Sequence, residues 1–340
     1  LADRAIGKKK LLAVSALLGS LASAGLALIG PAQTDLALGL YMIGTISVAS
    51  SIVFYDALLP TVARPGDMDR VSSLGFAWGY AGSMILFLLN LVWVLKPGWF
   101  GLASSTAGMR LSFVSVGVWW FAFTLPLLRR VREPEAGNGA RRGNPVLESF
   151  AQLGRTLKDL AGRKQLLLFL AAFWLYSDGI GTIIKLASSF GDQLSIPAAH
   201  ILLALILTQL VGIPCAIGFG RLAGRTGAKA AITLGLIVYT GICCVGFFLR
   251  EIWHFYALAV LVGTVQGGTQ ALSRSLFASM IPKSRSGEYF GFFSTMEKFA
   301  GVIGPLLLGL FWAGSDNPRP GILALGAFFI LGMALLSRVD

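Results

Sequence analysis

Charge is what this chain has least of. Only 13% of its 340 residues are Asp, Glu, Lys or Arg, where a soluble protein carries about a quarter. That scarcity excludes a soluble enzyme and a disordered chain. Histidine is nearly absent: His200 and His254 stand alone at the edges of apolar runs, where each reads as an interfacial polar residue. The three cysteines, Cys215, Cys243 and Cys244, lie inside apolar runs. They have no zinc-type spacing, and their odd number supports no disulfide framework. No Gly-rich loop leads into Lys-Ser/Thr, so nothing points to ATP-driven transport. Two isolated histidines leave no Ser/His/Asp set and no metal cluster. The chain therefore reads as a non-enzyme with no cofactor.

What is present is apolar sequence: 55% hydrophobic residues and a mean hydropathy of +0.74. A membrane-spanning helix needs about 20 mostly apolar residues. Ten such stretches are found, at 11–30, 36–59, 73–95, 111–129, 165–189, 197–219, 230–249, 254–281, 289–313 and 320–337. None shows the strict alternation of an outer-membrane strand, so the expected fold is an all-α, polytopic helical bundle. The connection 130–164 is strongly basic and divides the chain into four helices and six. Within it Val146, Phe150, Leu153 and Leu157 recur at helical spacing, which suggests an amphipathic helix lying on the membrane surface. The expected domains are 1–129, the cytoplasmic linker 130–164, and 165–340.

Net charge is +12, and its distribution orients the helices. With the start of the chain in the cytoplasm, 21 of the 28 Lys and Arg fall on the inner side and four on the outer side, with three inside spans. Cytoplasmic loops attract this excess. Both termini are thus expected inside, and no nucleic-acid partner is needed to explain the basicity.

The chain also repeats itself. Residues 1–10, LADRAIGKKK, return in altered form at 220–229, GRLAGRTGAK. FYDALLP at 54–60 aligns with LFASMIP at 276–282, and Gly75-Phe76 with Gly291-Phe292. Parallel halves of six helices are the plan of major facilitator transporters. The two ten-residue segments resemble the cytoplasmic signature of that superfamily, with one extra residue before Gly7 and Gly224 where Asp is usual. The resemblance implies that Asp3, Arg4, Gly7, Gly220, Arg225 and Gly227 latch the two halves, with Asp56 in a related latch or capping role. It also implies that ten of twelve helices are present, as four plus six, the first two falling before residue 1. Longer blocks, including 176–191 (YSDGIGTIIKLASSFG), 267–282 and 288–305, resemble the vacuolar amino-acid effluxers linked to fungal autophagy and their bacterial relatives. That likeness implies amino-acid export; the bacterial substrates are generally unassigned.

A charge inside a bilayer costs at least about 2.5–3.5 kcal/mol, so it should face a cavity or a partner. Asp178, Thr182 and Lys185 share one helical face. Gln266, Gln270 and Arg274 form a second polar face, with Ser273 beside them, and Glu297 and Lys298 lie in the next span. These eight residues are the expected substrate or proton pathway. Asp178 reads as a proton- or cation-handling carboxylate, and Lys185 or Arg274 as the contact for an anionic group. Gly179 and Gly181 suggest a helix that bends beside Asp178. Arg274 and Glu297 fall at similar depth, within reach of an ion pair, and a structural inter-helix pair is the competing reading for both. The expectation is a proton-coupled secondary transporter of a small solute, such as an amino acid. It would be a monomer in a bacterial inner membrane whose only other partner is the lipid bilayer. A carrier of drug-like, lipid or sugar-derived solutes and a non-transporting scaffold or receptor are the alternatives.

Overall fold

The computed structural model describes residues 3, 7–133, 154–156, 158–193, 196–248, 251–314 and 319–340. Arg4 and most of the amphipathic stretch expected at 145–160 lie outside them. Among the described residues there are eleven helices of twelve residues or more and no strand. They are α1 (Lys8–Leu26), α2 (Thr34–Ala57), α3 (Met68–Leu95), α4 (Ser105–Arg130), α5 (Lys164–Gln193), α6 (Ala198–Thr226), α7 (Ala228–Phe247), α8 (Ile252–Met280), α9 (Ser286–Phe299), α10 (Ile303–Gly314) and α11 (Arg319–Leu336). Each expected span has its helix, with ends displaced by a few residues. The ninth span differs, because it is divided into α9 and α10. By length and composition alone, seven helices among the described residues are able to cross a membrane. The polar face of α8 and the shortness of α9, α10 and the apolar part of α11 keep those four apart.

Pro305 explains why the ninth span divides. A proline inside a helix removes one N–H and crowds the carbonyl four residues back, here that of Gly301. The last α-type bond of α9 runs from the Ala300 N–H to the Met296 carbonyl (2.8 Å), and the first of α10 from Leu306 to Val302 (3.3 Å). Proline alone does not suffice, since Pro126 and Pro214 sit inside the continuous helices α4 and α6. What else holds the break open is a matter for the site.

The chain forms two compact units. One comprises Leu1–Val62, Gly82–Gln152 and Pro282–Gly291, and the other Ala63–Ala81, Leu153–Ile281 and Phe292–Asp340. In the first, α1 packs on α2 and α4 through small residues that let backbones approach. A Cβ on Gly117 would strike the Ser20 carbonyl, and one on Gly19 the Trp120 ring. In the second, α8 lies against α6 and α7, and α11 against α5 and α7. Gly263 of α8 meets the Thr208 carbonyl and Gly268 the Phe219 side chain, so α6 and α8 also touch at backbone distance.

The repeat read from the sequence is visible in the backbone. Gly7 and Gly227 precede α1 and α7 with nearly the same dihedrals, φ +83, ψ 145 and φ +86, ψ 152. Two residues after each glycine, a lysine reaches the end of a later helix. Lys9 Nζ donates to the Val131 carbonyl after α4 (2.5 Å), and Lys229 Nζ to the Ser337 carbonyl after α11 (3.0 Å) and to that of Val339. A cation at carbonyls that close a helix complements its dipole. Because an L side chain at these dihedrals costs about 1–3 kcal/mol, Gly227→Ala is expected to lower the unfolding temperature in detergent. Gly224→Ala, where a Cβ meets open space inside α6, should leave it unchanged or slightly raised.

Candidate substrate pathway and conformational sites

Within the second unit, α5 carries the polar face expected from its sequence and presents it to α10. The Gly304 N–H donates to both Asp178 carboxylate oxygens at 3.1 Å each, and the Ile303 N–H donates to the same carboxylate. These are the first two amides of α10. The next residue is Pro305, which has none, and the residue before them is Val302, whose side chain cannot cap. Asp178 therefore supplies from another helix the cap that α10 lacks. Such a cap contributes about 1 kcal/mol, and an anion at a partly buried helix start up to ~2 kcal/mol. Asp178 and Thr182 are 1% and 0% exposed. A Cβ on Gly304 would collide with Thr182 Oγ1 and crowd Asp178 Oδ1, so only glycine lets α10 approach this closely. α5 does not unwind at Gly179 and Gly181, since it runs as one helix from Lys164 to Gln193. Gly179 instead admits the Phe329 ring of α11, and the break lies in the span that Asp178 holds.

Lys185, about two turns further along α5, lies at the other side of that break. Its Nζ occupies the place where a Cβ on Gly301 would be, just past the end of α9. The side chain is exposed. Glu297 and Lys298 are exposed on α9 as well.

Arg274 is placed otherwise. It is 6% exposed, and its Nε donates to Ser72 Oγ (2.9 Å) while NH2 donates to the Ser72 carbonyl (3.0 Å). Its guanidinium lies over the Phe76 ring, 4.9 Å from the centroid. Ser72 Oγ in turn donates to the Ala271 carbonyl (2.6 Å), and Ser275 Oγ donates to Asp69 (2.5 Å). Arg274 thus belongs to a buried seam between the start of α3 and α8. Gly220 of α6 serves the same seam, since a Cβ there would strike Ser73. Nearby, the Tyr80 hydroxyl lies beside the Gln266 side chain, and Gln270 is half-buried one turn on. Tyr176 donates to Ser273 Oγ (2.6 Å), because the single Ser273 proton goes to the Thr269 carbonyl (2.7 Å). Sequence reasoning missed Ser72, Asp69 and Ser275; a run of small hydroxyls in a helix carries no periodic signal. It missed the break too, although Gly301, Gly304 and Pro305 stand together in the sequence.

In the first unit, Asp3 sits at the start of α9. Its carboxylate accepts from the Gly287 and Glu288 N–H groups (3.1 and 3.0 Å) and pairs with Lys8 Nζ at 3.0 Å. The two side chains are 3% and 7% exposed. Lys8 Nζ donates to Ser286 Oγ (2.8 Å), which donates to the Ala57 carbonyl beside Asp56 (2.8 Å). Glu133, which the sequence did not single out, accepts from the Lys8 and Lys9 amides (2.7 and 3.1 Å) and so caps α1. The second copy has no comparable carboxylate: Gly224 stands in place of the acid, and Arg225 is exposed in the last turn of α6.

Comparison with solved structures defines the class. The chain matches the crystal structure of the major facilitator transporter FucP in the outward conformation with a TM-score of 0.75, covering 98% of this chain and 84% of that one at 12% identity. It matches the proton:xylose symporter XylE with a TM-score of 0.71, covering 98% and 80% at 14% identity. The fold is that of the major facilitator superfamily, and the chain is an integral membrane protein. Within that class it belongs to the "Vacuole effluxer Atg22 like" family, whose model matches residues 1–340. It is 35% identical over 333 residues to an uncharacterized MFS-type transporter of Bacillus subtilis, spanning 98% of this chain and 77% of that protein. It is 27% identical over 303 residues to autophagy-related protein 22-1 of Penicillium rubens, spanning 80% of this chain but only 49% of the fungal protein. The relatives are transporters and not enzymes, and this chain is a transporter of the MFS type.

The seam at Arg274 generates a test. Removing the Ser72 hydroxyl leaves a buried guanidinium short of an acceptor, which costs about 1–3 kcal/mol. Ser72→Ala should therefore lower the unfolding temperature in detergent. Adding Arg274→Met should recover part of the loss, because no buried charge is then left unmatched.

Proposed function

We propose that this chain carries a small solute bearing a carboxylate, in the first instance an amino acid, by alternating access, with Lys185 as the contact for the carboxylate. The observation that carries this reading is the contrast between Arg274 and Lys185, two of the three cations inside spans. Arg274 is buried and already bonded to Ser72, whereas Lys185 is exposed and makes room for itself only against a glycine. A binding site needs a group that can exchange water for solute, and Lys185 meets that condition. Amino acids as cargo, and export as direction, are supported by the effluxer family and by the fungal autophagy-related relatives. Proton coupling is supported by the symporters that share the fold. Asp178 is committed to α10, so we assign coupling to Glu297 in the ninth span, with Gln266, Gln270 and Lys298 as pathway residues. Asp3, with Lys8 and Ser286, is the latch at the start of α9, Gly7 and Gly227 being the turns behind each copy of the motif. Arg225 has the lesser part. The two halves of the superfamily plan are 1–129 and 165–340. A monomer in a bacterial inner membrane with both ends in the cytoplasm agrees with the Bacillus relative and with the 21-to-4 distribution of basic residues.

Binding stabilises a protein by mass action, so a thermal-shift screen of the purified protein against the twenty common amino acids should find at least one that raises the unfolding temperature. Lys185→Gln should remove that shift. Stabilisation by sugars or drug-like cations and by no amino acid overturns the substrate class, and stabilisation by nothing favours a scaffold. In proteoliposomes, Glu297→Gln should abolish uptake driven by a proton gradient while leaving counterflow of the stabilising amino acid. Loss of neither moves coupling away from Glu297.

A further inference from the structure

We infer that Asp178 is a positioning residue: it caps α10, keeps the ninth span divided at 300–302, and through that division sets the place of Lys185. The inference starts from a hydrogen-bond inventory. Were the ninth span continuous, the Ile303 and Gly304 amides would bond to Phe299 and Ala300. Pro305 disrupts that path by crowding the Gly301 carbonyl, which leaves two amides without helix partners, that of Gly304 in a buried residue. An unmatched backbone group in such surroundings is costly. Both go to Asp178, and Pro305 contributes no third.

Three further observations agree. Pro126 and Pro214 lie in helices that stay continuous, so the division at Pro305 calls for something they lack. The glycines of the break match the polar face of α5 in antiparallel order, Gly304 against Asp178 and Thr182, Gly301 against Lys185. The charges also match the two helix ends. The carboxylate lies at the amide start of α10 and the ammonium near the carbonyl end of α9, each at the terminus whose partial charge it complements. The break is thus set from α5, by two residues on one face of that helix. The same argument removes Asp178 from the role of mobile proton or cation carrier, because a group bonded to two amides of a helix start cannot exchange ligands without releasing that helix.

The functional consequence rests on the reading of Lys185 above, but the positioning does not, and the experiment separates them. Asparagine caps a helix about as well as aspartate and lacks the charge; leucine has similar size and no acceptor. Hydrogen–deuterium exchange across 300–306 would be measured on the whole protein in detergent, together with the pH profile of Lys185 acetylation by a water-soluble acylating reagent. Asp178→Leu is expected to speed exchange at Ile303 and Gly304 by about tenfold or more and to change the Lys185 profile. Gly304→Ala, which leaves the carboxylate in place but forces the helices apart, should do the same and covers the case of a leucine variant that does not fold. Asp178→Asn should leave exchange at Ile303 and Gly304 close to wild type. Unchanged exchange in both disruptive variants, or an asparagine variant indistinguishable from leucine, overturns the inference. If exchange responds as stated while Lys185→Gln keeps its amino-acid thermal shift, the cap stands and the assigned substrate contact falls.

Discussion

The ninth span has two amide groups with nowhere to go inside a helix, and the arrangement around α5 follows from where they go. A bilayer supplies no water to a backbone that loses its partners. Ile303 and Gly304 lose theirs because Pro305 follows them, and the cap comes from Asp178 on α5. Once that carboxylate is committed, α5 and α10 are held at a distance only a glycine allows, and Thr182 is sealed between them. Opposite Asp178, Tyr176 bonds to Ser273 of α8. One face of α5 thus fixes a broken helix and the other an unbroken one.

The start of α9 obeys the same rule with other residues. There Asp3 takes the Gly287 and Glu288 amides and is balanced by Lys8. A fourteen-residue helix therefore has an acid at its amide end and, just past its carbonyl end, a lysine. The difference lies in exposure: Asp3 and Lys8 are buried, while Lys185 is exposed.

Apolar run length made the ten spans legible within a few residues, because the bilayer imposes that length whatever the helices touch. One point of the repeat has a counterpart in the backbone, since Gly7 and Gly227 share angles that few other residues adopt. Partners were harder to read. Asp178 and Gly304 are 126 residues apart, and Arg274 and Ser72 are 202 apart; neither pair has a spacing that periodicity reveals. Arg274 and Lys185 looked equivalent as cations in apolar sequence, and packing separates them. Gly179 and Gly181 looked like a hinge because glycine beside a charge suggests one, yet Gly179 serves a close contact with Phe329 and Gly181 meets open space. The division at Pro305 was hidden because a proline in an apolar run is compatible with an unbroken helix, as α4 and α6 show.

The last residues of the chain return to the beginning of α5. Asp340 donates its amide to Gln165 Oε1 (3.1 Å) and accepts from the Gln165 side-chain nitrogen, while Lys229 ties the carbonyls just before it to the start of α7. The segment after α11 is therefore fastened to the first turns of α5 and α7 at once, so the two helices that α11 packs against are also held together at one end through it.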